Sequence, residues 1–218
     1  MKERPILFSA PMVRAILDSR KTQTRRVFKQ AIGPSLSVDC NDGVAELSWL
    51  HGDGPGHEVH ETIKRVVCPY GQPGDRLWVR ESFWGCDAPG YGDTPCVVYD
   101  DEWQGKEYHP AEVRPWAPKF GRIPSIHMPR NCSRITLEIT GVRAERLNDC
   151  CWPDAIAEGL IPVRGPSGSY MYEYSSTEGG QFANPCVAYH MLWDSINGDG
   201  AWAANPWVWV VEFRRIKA

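Results

Sequence analysis

The sequence predicts an α+β fold: a small mixed β-barrel with flanking helices and long loop insertions, organised as one domain over residues 1–218. Three observations point there. Short segments of alternating apolar and polar residues recur, bounded by Gly and Pro. Two or three other stretches carry apolar residues at helical spacing instead. A hydrophobic fraction of 42% with ten tryptophans supplies a packed core. Closing the strands into a barrel leaves no open sheet edge.

Taken in order, "PILFS" reads as a short strand. A first helix is expected from Ala10 to about Lys21, with Ser9 as its cap and Pro11 in its first turn. Val13, Ile16 and Leu17, with Met12, form its apolar stripe. Residues 31–66 read as an inserted excursion containing a hairpin. Gly-Gln-Pro-Gly then turns the chain into "DRLWVRESFW", a strand with Leu77 and Val79 on one face and Trp78 and Arg80 on the other. Residues 85–125 are loop-like, with six prolines. Between Asp87 and Glu112 they hold seven acidic residues and one lysine, and a hairpin is expected to turn at Gln104-Gly105. "SRITLEITGVRAERL" is the clearest strand, alternating Ile135, Leu137 and Ile139 with Thr136, Glu138 and Thr140. "NDCCWPDAIAEGL" is a short helix, with Pro153 in its first turn and Gly159 just past its end. Residues 163–186 form a further Gly/Ser/Tyr-rich insertion. "VAYHMLWDSI" is helical, with Val187, Met191 and Leu192 expected to be buried, and a strand from Pro206 to Ile216 follows.

No run approaches the length of a membrane helix. "MKERPILFSAP" has no sustained apolar region, so a cytoplasmic protein without a membrane partner is expected. The eight cysteines include no Cys-x-x-Cys pair and are expected as free thiols. His57, His60 and Cys68 are too loosely spaced to make a zinc site, so no metal or other cofactor is expected. Residues 1–30 hold eight Lys or Arg and two Asp or Glu, net +6; the other 188 hold 16 and 25, net −9. A basic end on an acidic body suits a phosphate-bearing ligand. It equally suits a helix end whose cations complement the dipole.

That basic charge is concentrated in "SRKTQTRR", Ser19 to Arg26. If the first helix ends here in a turn, Lys21 and Thr24 share a face; on an extended strand they point apart. A lysine desolvated beside other cations loses its proton more easily, and beside a threonine hydroxyl it is a base next to a nucleophile. Arg25 and Arg26 are candidate phosphate ligands. Glu158 stands at a helix C-terminus, where a carboxylate is disfavoured unless it meets a cation or acts as an acid. A solvated helix-end glutamate is the plainer alternative. Trp78 is a candidate stacking platform for a base, with core packing as its alternative.

"RKTQTRR" after an amphipathic helix, "GDRLWVRESF", "ITGVRAERL" followed by "DAIAEGL", and a last "VWVVEF" strand resemble, in this order, the ASCH domain, a branch of the PUA-like superfamily. The likeness is greatest to ASCH proteins carried by phages and prophages. The motifs cover about half the chain, and the insertions at 31–66, 85–125 and 163–186 lie outside the family's compact core. The resemblance implies a small β-barrel with a cleft for RNA or nucleotides. One ASCH subfamily comprises amidohydrolases that deacetylate N4-acetylcytidine with a Lys and a Thr of a Lys-Thr-x-Thr segment and a Glu in the helix after the central strand. These match Lys21, Thr24 and Glu158. By that likeness Thr24 attacks the amide carbonyl, Lys21 activates it, and Glu158 assists proton transfer or holds Lys21. Arg25, Arg26, Trp78, Arg80 and Glu81 are then the candidate binding residues. The implied partner is a modified nucleoside or a short single-stranded nucleic acid, with no cofactor. Two alternatives are a non-catalytic RNA-binding module and an interaction protein whose insertions form the partner surface.

Overall fold

The computed structural model describes residues 1–29, 36–52, 59–87, 95–99, 121–165, 168–174 and 180–216. The framework is a five-stranded mixed sheet in the order β1 (Glu3–Leu7), β6 (Arg76–Arg80), β10 (Thr136–Arg146), β13 (Trp207–Ile216), β2 (Gln23–Val27). β1 runs parallel to β6 and every other pair is antiparallel. The long strands β10 and β13 sit at its centre, paired from Thr136↔Ile216 to Arg146↔Trp207, with one irregularity between Ile139 and Gly141. The alternation read in "SRITLEIT" is realised: Ile135, Leu137 and Ile139 are buried.

β13 is covered on both faces. Trp209, Val211 and Phe213 enter the main core with Leu77, Leu137 and Ile139, while Val208 and Val210 enter a second core. That division follows the two-residue period of a strand. Each fully buried aliphatic side chain here is worth about 1.5–3 kcal/mol.

The expected barrel is not formed. The sheets are not closed on one another: β1 and β2 are opposite edges of the five-stranded sheet, and the other described strands pair separately. The helix α1 (Ala10–Leu17) carries the chain from one edge to the other and buries Val13, Ala15 and Ile16, with Met12 and Leu17 partly buried beside them. Ser9 occupies its N-cap position without a side-chain capping bond.

The described residues 36–52 and 59–67 form more than a hairpin and contribute to the main core. β3 (Leu36–Asn41), β4 (Val44–Gly52) and β5 (Val59–Val67) form an antiparallel three-stranded sheet whose Ala45, Leu47 and Val66 pack with the central strands. The β3–β4 turn is Asp42-Gly43, with φ of 49° and 82°, the paired positive φ values that a two-residue hairpin of this hand requires. In the segment read as loop, β7 (Phe83–Asp87) pairs with β8 (Pro95–Tyr99) and β9 (Gly121–Ile123) over a third small core containing Phe83, Val97 and Met128. The expected hairpin at Gln104-Gly105 and the acidic stretch around it lie outside the described residues.

The second core joins α2 (Trp152–Ala157), α3 (Pro185–Asn197) and β13. The small hairpin β11 (Ile161–Arg164)–β12 (Tyr170–Glu173) follows α2. α3 is rotated from the expected phase. Pro185, Ala188, Tyr189 and Trp193 are buried, Leu192 is half-buried, and Val187 and Met191 are each 42% exposed. Both phases satisfy helical spacing; the observed one inserts the two aromatic rings between α2 and β13. No described helix is long and apolar enough to cross a membrane.

Candidate active site

Helix α1 ends at Leu17, one turn before the expected end at about Lys21. Asp18 is its C-cap and Ser19 takes a left-handed φ of 60°. "RKTQTRR" is therefore extended, not helical. Lys21 forms an isolated antiparallel bridge with Glu158, and β2 begins at Gln23. The shared helical face expected for Lys21 and Thr24 is absent. Cross-strand pairing puts Thr24 beside Val211 and Arg25 beside Val210, so the two lie on opposite faces of β2.

Glu158 is the C-cap of α2, and Gly159 follows with φ 103°. A side chain at Gly159 would stand 2.9 Å from Ala15 Cβ and 3.0 Å from Lys21 Cβ, so glycine lets α2 close against α1 and the lysine. Lys21 Nζ donates to Glu158 Oε2 at 2.7 Å and to the Glu158 carbonyl at 2.9 Å. The Lys21 side chain is 0% exposed and that of Glu158 is 3%. The solvated alternative for Glu158 is thus excluded.

Arg25 completes the centre. Its Nη1 donates to Glu158 Oε1 at 3.0 Å, its Nη2 donates to Glu145 Oε1 at 2.6 Å, and Nη2 lies 3.0 Å from Asp154 Oδ2. Behind it, Arg143 donates to Glu145 and Asp154 and pairs with Glu212. Both Glu158 oxygens thus face cations, as a buried carboxylate requires.

The electrostatics follow. Burial lowers the Lys21 pKa, against the pull of Glu158, and the nearby Arg26 and Arg25 lower it further. Burial works against the Arg25 charge too, but Glu158 foremost outweighs it and the pKa is raised. Burial opposes ionisation of Asp154, yet Cys151, Arg25 and Arg143 hold its pKa below the ordinary value. Tyr189 is pushed well above its usual range by burial and by the charge of Glu158.

Beside this network lies a small cleft of about 70 Å³ walled by α1, β2 and α3; Met12, Thr24, Arg26, Glu158, Tyr189 and Trp193 are among its lining residues. It adjoins a second hollow of about 240 Å³ that shares Met12, Glu158, Leu192 and Ile196 with it. Thr24 and Glu158 are both among the residues lining this cleft and Lys21 is not, while Thr24 lies on the face of β2 opposite to Arg25, whose guanidinium holds Glu158.

The other expected binding residues are elsewhere. Trp78, Arg80 and Glu81 belong to β6 or its end, with β10 and β13 standing between it and β2. Trp78 is 8% exposed, with the Arg80 guanidinium 4.7 Å from its ring centre. Glu81 is gripped at both oxygens by Arg134, at 3.0 and 2.8 Å. These three do not line the cleft. Arg26 does, although its Nη2 donates to the Leu7 carbonyl at 2.6 Å. Glu145, Asp154, Arg143, Tyr189 and Trp193 were not evident as site residues from sequence. The one available sign was Arg143 and Glu145 two apart on a strand, which places both on one face. His57 lies outside the described residues, and Cys68 is a buried free thiol of the main core.

No family model matches the chain, and no solved structure matches it. Among curated proteins, a 2-hydroxy-6-oxononadienedioate/2-hydroxy-6-oxononatrienedioate hydrolase from Klebsiella pneumoniae subsp. pneumoniae is 23% identical over 146 residues. That alignment covers 67% of this chain and 45% of the hydrolase, so the chain spans less than half the length of the relative it matches.

Proposed function

We propose that this is an ASCH-like hydrolase that cleaves the amide of an N4-acylated cytidine or a similar modified nucleobase, with Lys21, Thr24 and Glu158 as its reacting groups. The observation carrying this reading is the fully buried Lys21–Glu158 pair at 2.7 Å, placed where Glu158 and Thr24 line the same cleft. Burial weakens the hold of Lys21 on its proton, and Glu158 stands ready to share it.

In this reading the Thr24 hydroxyl attacks the acyl carbonyl and its proton passes to the Lys21–Glu158 pair. The C–N bond breaks, the proton returns to the leaving exocyclic amine, and the acyl group rests on Thr24 as an ester. Water then attacks that ester, giving the carboxylic acid and restoring the hydroxyl. Amide and water are consumed; amine and acid are formed.

Arg25 is committed to three carboxylates, which favours a small ligand over a long polyanion among the alternatives. The test is incubation with a panel of N4-acylated cytidines and cytosines, with chromatographic detection of released amine and acid. Turnover that survives Lys21→Ala contradicts the assigned role of Lys21, and absence of turnover on the whole panel contradicts the reaction.

A further inference from the structure

β5 is the longest sheet edge among the described residues. Its nine residues pair with β4 from Val44↔Val67 to Gly52↔Val59 without a register shift, and no described strand pairs with its other side. The other outer strands have three to six residues, and β1 is interrupted by Pro5. A long open edge is a template for another strand, which proteins commonly blunt by short length, proline or a bulge. β5 has neither proline nor bulge.

Alternate residues of a strand share a face. Val66 enters the main core, so Glu61, Ile63, Arg65 and Val67 stand on the outer face of β5. All four are exposed, Ile63 at 57% and Val67 at 62%. Their order is its own complement. When a second β5 runs antiparallel to the first and the pair is centred on Ile63, Ile63 meets the partner's Ile63. Glu61 then meets the partner's Arg65, and Arg65 meets the partner's Glu61. Val67 falls opposite position 59, which is also valine. Directly opposed residues on one face lie about 4.5–5.5 Å apart at Cβ, where opposite charges stabilise and like charges destabilise. Registers to either side set Ile63 against the partner's Glu61 or the partner's Arg65 and lose both charge pairs. On the other face Lys64 falls opposite the partner's Thr62 and not opposite a like charge.

We propose that two copies of this chain associate through β5, antiparallel about a two-fold axis at Ile63, joining their three-stranded sheets into one of six strands. Such an interface is isologous: each contact occurs twice, and the axis itself needs a residue that tolerates its own copy, as an exposed isoleucine does. Arg65 already pairs with Glu46 of β4 at 3.0 Å, so in the dimer its guanidinium lies between two acids. The edge of one strand buries less than a standard interface, and a micromolar, concentration-dependent dimer is expected. None of these residues lines the cleft or the hollow beside it, so the proposal is independent of the reading of function above.

The experiment is sedimentation velocity of the full chain over a concentration series. Glu61→Arg turns two attractive pairs into two repulsive ones and is expected to weaken self-association about tenfold or more. Arg65→Glu does the same with the opposite sign. Mixed with each other, the Glu61→Arg and Arg65→Glu chains are complementary at both positions, and a heterodimer tighter than either self-association is expected. Ile63→Lys sets two like charges on the axis and is expected to weaken the dimer as well. Circular dichroism of each variant checks that it is folded. Should Arg65→Glu, which also faces Glu46, fail to fold, Glu61→Arg and Ile63→Lys still decide. A chain that stays monomeric at its highest soluble concentration overturns the proposal. So does a dimer that Glu61→Arg and Ile63→Lys leave unmoved, or a mixture of the two folded charge variants that yields no heterodimer.

Discussion

Lys21 and Glu158 are 137 positions apart in the chain and are joined by a backbone bridge, by a bond from Lys21 Nζ to the Glu158 carbonyl and by a 2.7 Å ion pair whose side chains are closed to solvent. The bridge ties the start of β2 to the end of α2, and Arg25 on β2 grips the second carboxylate oxygen. The glutamate serves two cations, while Lys21 has one carboxylate partner.

The first prediction follows from that asymmetry. Glu158→Gln leaves Lys21 and Arg25 both facing a neutral amide in a buried site, and is expected to cost about 3–5 kcal/mol. Lys21→Met removes one cation and fills its space with an unbranched chain, while Arg25 still neutralises Glu158. It is expected to cost clearly less. Urea unfolding of the two variants decides. A larger loss for Lys21→Met than for Glu158→Gln shows that the network is not organised around the glutamate.

Gly159 gives a second prediction, with a control inside the same molecule. Its φ is 103°, and an added Cβ meets Ala15 and Lys21. Gly198, the C-cap of α3, has a similar φ of 98° but open space at its Cβ position. Gly198→Ala therefore registers the left-handed backbone alone, about 1 kcal/mol. Gly159→Ala adds the clash, so its loss in chemical denaturation is expected to exceed that of Gly198→Ala by at least about 1 kcal/mol, the range for a crowded core. Equal losses mean that α1 and α2 have room to separate.

How much of this was legible beforehand depends on how local each signal is. Ser9, Pro11, Gly159 and the alternation of Ile135, Leu137 and Ile139 act within a few residues, and α1, α2 and β10 were found where those signals put them. Lys21, Thr24 and Glu158 stood out because a basic run and a helix-end acid are each unusual locally. Glu145 and Asp154 did not, since a charge on a strand and an acid in a first helical turn are ordinary surface features. Only the pairing of β10 with β13 and the return of α2 gather them, half-buried, around Arg25. Non-local pairing likewise decided the open sheet and the phase of α3, where two helical stripes were equally consistent with the sequence.

The third prediction concerns pH. Lys21 has its folded pKa lowered, chiefly by burial. Between that value and about 10.4, the unfolded lysine's value, the unfolded chain binds the proton more tightly, so this group's contribution to stability rises with pH. Below the folded pKa the cost of burying the ammonium is present in full; towards the unfolded pKa it is relieved. Lys21→Met carries no such term. Across alkaline pH the unaltered chain is therefore expected to gain stability relative to Lys21→Met, as read from paired unfolding curves. A constant difference throughout that range shows that Glu158 holds the lysine as firmly protonated as water does.

The fourth prediction separates chemistry from architecture at Thr24. The residue is 2% exposed, pairs with Val211 on β2, and lines the cleft. Thr24→Val keeps the branched shape and strand preference and exchanges only the hydroxyl for a methyl, so its unfolding free energy is expected to change by less than about 2 kcal/mol. Thr24→Ser keeps the hydroxyl and loses the methyl. If Thr24 is the nucleophile, amide turnover falls by about 10³-fold or more in Thr24→Val and persists in Thr24→Ser, because loss of a nucleophile leaves only binding and electrostatic assistance. A purely structural threonine gives the reverse order: valine, which fills the same space, is tolerated, and serine, which leaves a gap beside Val211, is the more damaging change. Measuring turnover and unfolding on the same two variants therefore assigns the residue to one role or the other.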